Sequence, residues 1–510
     1  MNRNMKILTG VIAATVILPA TALPVQAEYR ADSDTGVEAL DYIENQRIAE
    51  RENRLTDEQK QLLKDAAEMK QHLRQPLDPS KPVPVAFEGE DLTYDERDGS
   101  FIAKGKVNIL QLDAHRFQGE LVTGNVKTQD VQIPDKAHVL QMTPGQSRIT
   151  LDGYKASYNY GKKTGSMDDA KGKVDAQYVT GKRFEFYPDR IVVYNGTQTK
   201  CGAKRPDYHL SADKITIYPK QKTIFEHVKF WLRGMVLMSR SRWVVNTSPD
   251  AKQEVYPKVG YNNTDKVYVS WDQTMPVRQN VEAHAHLLIT GADGWRSNYD
   301  MTWNNRHMQT GITAGYFEDG DNKWIKKSPS LFWKYGDRIG RTHFSYSLNT
   351  EYGRWYNNGI HSNHGYYALG INYDPISFHG YTLFLGTGYS ITDESYNSSR
   401  VSGMTFDALL LKNFDVRWAA YAGYHYNHQT TQNSLFNYGV DDFAKKLECG
   451  FSYRIDDHNR LVMGTRYDMS GSEWKNVDYY WYHDVHCAEI ILRYKSLQNA
   501  WSVRWQFNPW

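Results

Sequence analysis

The sequence predicts an all-β chain, in which a stack of β-hairpins precedes an antiparallel transmembrane β-barrel of about 16 strands. Three observations carry that expectation. First, the chain closes on alternating residues. Trp501, Val503, Trp505 and Phe507 interleave with Ser502, Arg504 and Gln506, giving one strand an aromatic face and a polar face. Second, the 510 residues include 36 Tyr and 14 Trp although only 40% are hydrophobic. That balance suits a barrel, where only alternate residues meet lipid. Third, beyond the N-terminus no apolar run approaches the roughly 20 residues of a transmembrane helix. A spanning chain of this kind must close into a barrel, because lipid offers no partner for backbone polar groups.

Residues 1–27 combine a basic head (Arg3, Lys6), the apolar run Ile7–Leu23 and the ending Val25-Gln26-Ala27. These are the three parts of a secretory signal peptide. Export permits disulfides, and three cysteines, Cys201, Cys449 and Cys487, allow one bridge and one free thiol. The formal charge of +2 equals the contribution of Arg3 and Lys6, so the remaining chain is neutral. That argues against nucleic acid as a partner.

Residues 28–82 form a polar, partly helical N-terminal extension. Thr56 and Gln59 make a capping-box pattern, and Leu62, Ala66, Met69 and Leu73 follow at helical spacing. Pro76, Pro79, Pro82 and Pro84 end the segment. A solvated extension is the favoured reading, with a plug or partner-binding helix as the alternative.

Residues 83–245 switch to period two and repeat a hairpin unit. Asp91-Leu-Thr-Tyr94 leads through a polar turn to Phe101–Val107. Leu151–Tyr158 leads through Gly161–Gly165 to Ala170–Val174, and His209–Tyr218 leads to Ile224–Phe230. One hairpin cannot bury its single apolar face, so the copies must stack into a β-sandwich or jelly roll with apolar faces inward. Residues 250–510 then show barrel-like alternation, as in Tyr367, Leu369, Ile371 and Tyr373, or Ala488, Ile490, Leu492 and Tyr494. Turn signals such as Asn357-Asn-Gly and Asp456-Asp-His-Asn separate the runs.

Three stretches carry a family resemblance. Asp91–Asp95 with Gly99–Val107 resembles the periplasmic β-jelly-roll of lipopolysaccharide-transport proteins of the LptA/OstA type. Cys201–Tyr218 and Val228–Leu237 resemble the junction of jelly roll and barrel in the LptD (OstA-type) family of outer-membrane lipopolysaccharide-assembly proteins. Tyr482–Tyr494, with Cys487, resembles that family's penultimate strand. The resemblance covers about residues 83–260 and 480–510, and the barrel looks smaller than the family's usual one. It implies a short-barrel translocon in the cell outer membrane with its N-terminal domain in the periplasm. The implied partners are lipopolysaccharide, outer-membrane lipid and an LptA-like periplasmic bridge protein. An LptE-like lipoprotein plug stays open.

That reading assigns roles to residues. The jelly-roll face that would shield acyl chains comprises Phe87, Leu92, Tyr94, Phe101, Val107, Ile109, Phe184, Phe186, Ile215, Ile217, Phe225 and Phe230. Ile102, Leu151, Tyr154 and Val174 are further inward candidates. Each CH₂ withdrawn from water is worth about 0.8 kcal/mol, so some such lining is required. Ordinary core filling accounts for many of them equally well. Pro257 and Pro276 fall in the first two predicted strands, where a missing N–H weakens a ladder. The resemblance links such prolines to a lateral gate, whose other side would be Trp501, Val503, Trp505 and Phe507. It also implies a Cys201–Cys487 disulfide, with Ala488 standing where the family has a further cysteine.

No catalytic motif is visible: there is no Gly-x-Ser-x-Gly elbow and no His-Glu-x-x-His. His284 and His286 share a strand face, which a polar lumen explains without a metal, and no cofactor is expected. The competing readings are a passive porin with a periplasmic domain and an outer-membrane lipid-modifying enzyme.

Overall fold

A computed structural model describes residues 35–52, 54–71, 84–203, 205–247, 257–318, 324–428, 435–436, 444–485 and 487–507. The expected signal peptide, Leu73, Pro76, Pro79, Pro82 and Trp510 lie outside these residues. Two helices come first, α1 (Thr35–Glu52) and α2 (Asp57–Gln71). They precede a 12-stranded antiparallel sheet and then a closed antiparallel barrel.

The sheet opens with β1 (Val85–Glu88), β2 (Asp91–Tyr94), β3 (Ser100–Gln111) and β4 (His115–Asn125). It continues through β5 (Asp130–Gln141), β6 (Ile149–Asn159), β7 (Thr164–Val174) and β8 (Gln177–Phe186). It ends with β9 (Ile191–Thr199), β10 (Tyr208–Tyr218), β11 (Lys222–Leu232) and β12 (Met235–Asn246). From β3 onward each strand pairs with the next, and β1 and β2 share the outer edge of β3.

A crease folds this meander over its own apolar face. The ladder breaks at mid-strand between Lys104 and Val107, between Gln118 and Thr123, and between Ile133 and Lys136. Left-handed residues continue the line across the sheet at Lys106 (φ 46°), Asp169 (φ 44°), Asn195 (φ 45°) and His227 (φ 53°). Such breaks bend a strand. The two halves then bury one shared core that includes Phe117, Leu151, Phe184, Leu210, Phe225 and Trp243. The expected jelly roll is therefore one creased sheet.

The barrel begins with β13 (Lys258–Asn262), β14 (Lys266–Arg278), β15 (Val281–Thr290), the two-residue spur β16 (Gly294–Trp295) and β17 (Asn298–Asn304). It runs on through β18 (Met308–Glu318), β19 (Trp324–Arg338), β20 (Phe344–Asn357), β21 (Ile360–Phe378) and β22 (Tyr381–Glu394). Next come β23 (Ser399–Asn413), β24 (Trp418–Asn427), β25 (Lys445–Arg454) and β26 (Asn459–Asp468). The last strands are β27 (Glu473–Asp484), β28 (Ala488–Lys495) and β29 (Ala500–Phe507). Because β15 also pairs directly with β17, the spur is not a stave, and 16 strands close the ring. Tight turns fit their sequences: Asn358 and Gly359 both take positive φ between β20 and β21, as a two-residue primed turn requires.

The outward positions are exposed and apolar, among them Val267, Met301, Leu331, Tyr367, Met404, Phe451 and Trp501. Inward positions on neighbouring strands hold buried Lys446, Glu448, Arg466 and Asp478. An apolar exterior around a charged interior is the inverse of a water-soluble barrel and defines one of the outer-membrane type.

Each of the two helices described in the N-terminal extension buries one face against the rest of the protein. The capping box closes as its residues predict: Thr56 N donates to Gln59 Oε1 (3.1 Å) and Gln59 N donates to Thr56 Oγ1 (3.2 Å). Leu62 and Ala66 of α2 are buried against Leu110, Ala114 and Leu140 on the outer face of the creased sheet. The unforeseen α1 packs inside the barrel wall, with Val37 and Leu40 against Tyr421, Val462 and Tyr482.

Inside the sheet, His115 is buried between the rings of Phe117 (4.4 Å) and Tyr158 (4.9 Å). Burial pushes its pKa down to about 4, with Asp113 and Lys163 acting in opposite directions. Between pH 6.5 and 4 the unfolded chain therefore binds the extra proton and the folded chain does not. Stability must fall as pH drops through that window, by about 1.4 kcal/mol per unit. His115→Phe is expected to flatten this part of the urea-midpoint profile between pH 7 and 4.5. An unchanged pH slope would contradict the assignment.

Candidate functional site: the junction of sheet interior and barrel seam

The barrel closes on its shortest stave. β13 meets β29 through four residue pairs, Val259 with Trp505 through Asn262 with Ser502. On its other side β29 pairs with β28 through eight, Ala488 with Phe507 to Lys495 with Ala500. Among the described residues β13 begins at Lys258, opposite Ser270 of β14. Its ladder therefore stops where β14 continues from Trp271 to Arg278. The seam is narrowest at the end nearer the creased sheet.

Both lips of that gap enter the sheet's core. The Phe507 ring lies 4.8 Å from Tyr208 and 5.8 Å from Phe230, and 4.6 Å from Trp505. Trp271 of β14 packs against the same core, with the Arg240 guanidinium of β12 at 5.7 Å over its ring. The apolar interior of one unit is thus continuous with the closing strand of the other.

A disulfide secures the contact. Cys201 and Cys487 are bonded, with Cα atoms 4.8 Å apart and 286 residues between them. Both are buried in the core that Phe507 joins. Locally, Cys201 N donates to Thr199 Oγ1 (3.1 Å), and that hydroxyl donates to the Tyr208 carbonyl (2.7 Å). The bridge, the Tyr208 ring and Phe507 therefore share one small region. Cys449 is a free thiol on the exposed face of β25.

The expected inward residues divide cleanly. Phe101, Val107, Ile109, Phe184, Ile215, Ile217, Phe225 and Phe230 are buried in the shared core, as are Leu151 and Val174. Phe87 and Phe186 are half-buried against it. Leu92 and Tyr94 pair with the inward Ala103 and Phe101, so they face inward. They are nevertheless 54% and 49% exposed, because β2 is the edge strand at the far end of the trough. Ile102 and Tyr154 do not face inward: Ile102 is exposed between the inward Phe101 and Ala103, and Tyr154 is exposed beside Lys155 where β6 bends between the inward Gly153 and Ala156.

On the closing strand, Trp501, Val503, Trp505 and Phe507 pair with Tyr494, Leu492, Ile490 and Ala488. Trp501 and Val503 are exposed on the lipid side, whereas Phe507 leaves that row for the sheet core. Pro257 is not within the first strand but immediately before it, and Pro276 lies on β14 beside a register shift against β15. Neither proline occupies a rung of the β13–β29 seam. Trp271 carries no signal of its own in the sequence, because it continues the alternation of the exposed Val267 and Val269 on β14. His284 and His286 pair instead with carboxylates, His284 Nδ1 with Asp300 (3.0 Å) and His286 Nδ1 with Asp272 (2.7 Å).

These features define an outer-membrane β-barrel protein whose barrel seam is sheathed by a creased β-sheet unit. No family model matches the chain, and no curated protein matches it. Among solved structures, one match is LptH from Pseudomonas aeruginosa, titled as the LptA-homologous periplasmic component of the conserved lipopolysaccharide transport device. It is 18% identical over 21% of this chain and 78% of its own, with a TM-score of 0.19. A mutant Rh. blastica porin matches at 8% identity over 49% of this chain and 96% of its own, TM-score 0.30. Salmonella typhi OmpF with daunomycin matches at 10% over 49% and 94%, TM-score 0.26. Likenesses this weak carry no functional argument, and the fold stands on its own strand pairings.

The bridge has a direct test. Under non-reducing electrophoresis the wild-type chain should shift mobility on reduction, and Cys201→Ala should not. Identical shifts for both would contradict the pairing.

Proposed function

We propose that the chain is a lipopolysaccharide-assembly translocon. It receives lipopolysaccharide from an LptA-like periplasmic bridge, shields the acyl chains in the creased sheet, and releases them through the barrel seam into the outer leaflet. No covalent reaction is involved and no cofactor is needed.

The observation that carries this reading is the placement of Phe507 and Trp271. They are the lips of the narrow seam, and both are packed in the sheet's apolar core. A porin has no use for such a connection, since its solutes pass through the lumen. For an acyl chain it supplies an unbroken apolar path, and a tail of a dozen CH₂ groups stands to lose about 10 kcal/mol if wetted. The four-pair seam is the part of the ring that is cheapest to open. At the far end of the trough, the edge strands β1 and β2 with Leu92 and Tyr94 offer a free edge of the kind extended partners extend. That is where a bridge protein with the same fold would dock.

Stapling the seam tests the proposal. Tyr261 and Val503 are cross-strand partners, so Tyr261→Cys with Val503→Cys, in a Cys449→Ala background, places two thiols within disulfide reach. The oxidised chain should lose lipopolysaccharide delivery to the cell surface, and a reductant gentle enough to spare Cys201–Cys487 should restore it. Full delivery by the stapled chain would sink the gate. Surface lipopolysaccharide that stays normal after depletion of the protein would favour the porin instead.

A further inference from the structure

A 16-stranded barrel with nothing inside it holds an aqueous channel. This one holds α1. The helix has 18 residues, about 27 Å of length at 1.5 Å per residue, and it lies along the inner wall formed by β23–β28. Val37 and Leu40 are buried against Leu411, Tyr421, Val462, Tyr480, Tyr482 and Ile491. Those wall residues are inward ones, since their strand neighbours Leu461, Tyr479 and Trp481 are exposed on the lipid side.

Charges fix the helix at several levels. Asp41 accepts a hydrogen bond from the Tyr482 hydroxyl (2.9 Å) and pairs with Arg460. Glu44 pairs with Arg454 of β25 and with Arg47 of its own helix (3.4 Å). Arg47 donates to the Trp418 carbonyl (3.2 Å) and to Asn413 and Asp415 at the turn between β23 and β24. Arg51 reaches Asp457 (3.3 Å) in the turn between β25 and β26. Glu44 and Arg460 are each more than nine-tenths buried, and charges so placed are costly unless matched. The wall and the helix are therefore built for each other. The turns that α1 reaches lie at the end of the barrel where β13 enters and β29 leaves, so the helix stands in that mouth.

The opposite mouth is also narrowed. Phe436, in the connection between β24 and β25, is buried against Trp355 and Ile325. Asn357 Nδ2 donates to the Leu435 carbonyl (2.6 Å), and Leu435 N donates to the Tyr396 hydroxyl (3.1 Å).

We propose that α1 is a resident plug that closes the barrel lumen to ions and small solutes, so that the chain carries its own stopper and needs no separate lipoprotein to seal it. The plug rests on the membrane-spanning barrel alone. The translocon reading can fail with the plug intact, and the reverse also holds.

The test is ionic conductance of the purified full-length protein in planar lipid bilayers. The wild-type chain should stay closed or nearly so. Asp41→Lys with Glu44→Lys sets two cations against Arg460 and Arg454 and should raise conductance at least tenfold. Reversing the wall as well, with Arg454→Glu and Arg460→Glu, should bring it back toward the wild-type value. Deletion of residues 35–52 gives a second route to the open state if the reversed helix prevents folding, which heat-modified gel mobility would report. A wild-type chain that conducts like an open porin would overturn the plug. So would reversed and deleted chains that fold and remain as closed as the wild type.

Discussion

A β-barrel in lipid has one strict requirement: every strand edge must be paired, because the bilayer offers no other partner for backbone N–H and C=O groups. This chain meets that requirement with a margin nearly everywhere and with little margin at the β13–β29 seam. The rest of the architecture follows from that weak closure. The creased sheet is set against the seam, the disulfide holds it there, and Phe507 turns off the lipid-facing row into the sheet's core. An edge that would be a liability elsewhere becomes a place where one apolar environment meets another.

The N-terminal extension is a second tie between the same two units. α1 is clamped to the inner wall of the barrel, and α2 is seated on the outer face of the sheet. Only residues 53–56 separate the helices. The covalent bridge and this strap act on different strands, so rotation of the sheet relative to the barrel would have to break buried ion pairs as well as reduce a disulfide. A fixed relative orientation is what a continuous apolar path needs.

Much of this was legible in the sequence wherever one period governed one environment. The alternation in Trp501–Phe507 predicts the closing strand and its lipid side, and the Thr56–Gln59 box predicts the start of α2. The bridge between Cys201 and Cys487 came from resemblance, because spacing alone leaves three pairings open. What was hidden has physical causes. α1 escapes because its contacts with the wall are largely charge pairs through Asp41, Glu44, Arg47 and Arg51, which blur the apolar stripe that marks a helix. The crease escapes because a bend can shift the pleat within a strand: in β6 the inward set changes from Ile149, Leu151 and Gly153 to Ala156 and Tyr158, so counting back from Tyr158 puts Tyr154 on the wrong face. In β3 the inward set keeps its parity across the bend, and Ile102 is simply the outward neighbour of Phe101. The roles of Pro257 and Pro276 could not be read from position alone, since neither lies in the seam ladder.

On the proposed route, lipopolysaccharide passes from the sheet interior to the barrel seam. Pulse-labelled lipopolysaccharide with photo-crosslinking amino acids at positions 230 and 505 follows that passage step by step. Position 230 lies in the core that Phe507 joins, and position 505 in the four-pair seam. Crosslinks are expected at 230 first and at 505 later, with both abolished by depletion of the supply. Absence of lipopolysaccharide crosslinks at 230 and 505, in a chain that still delivers it to the surface, would overturn the proposed route.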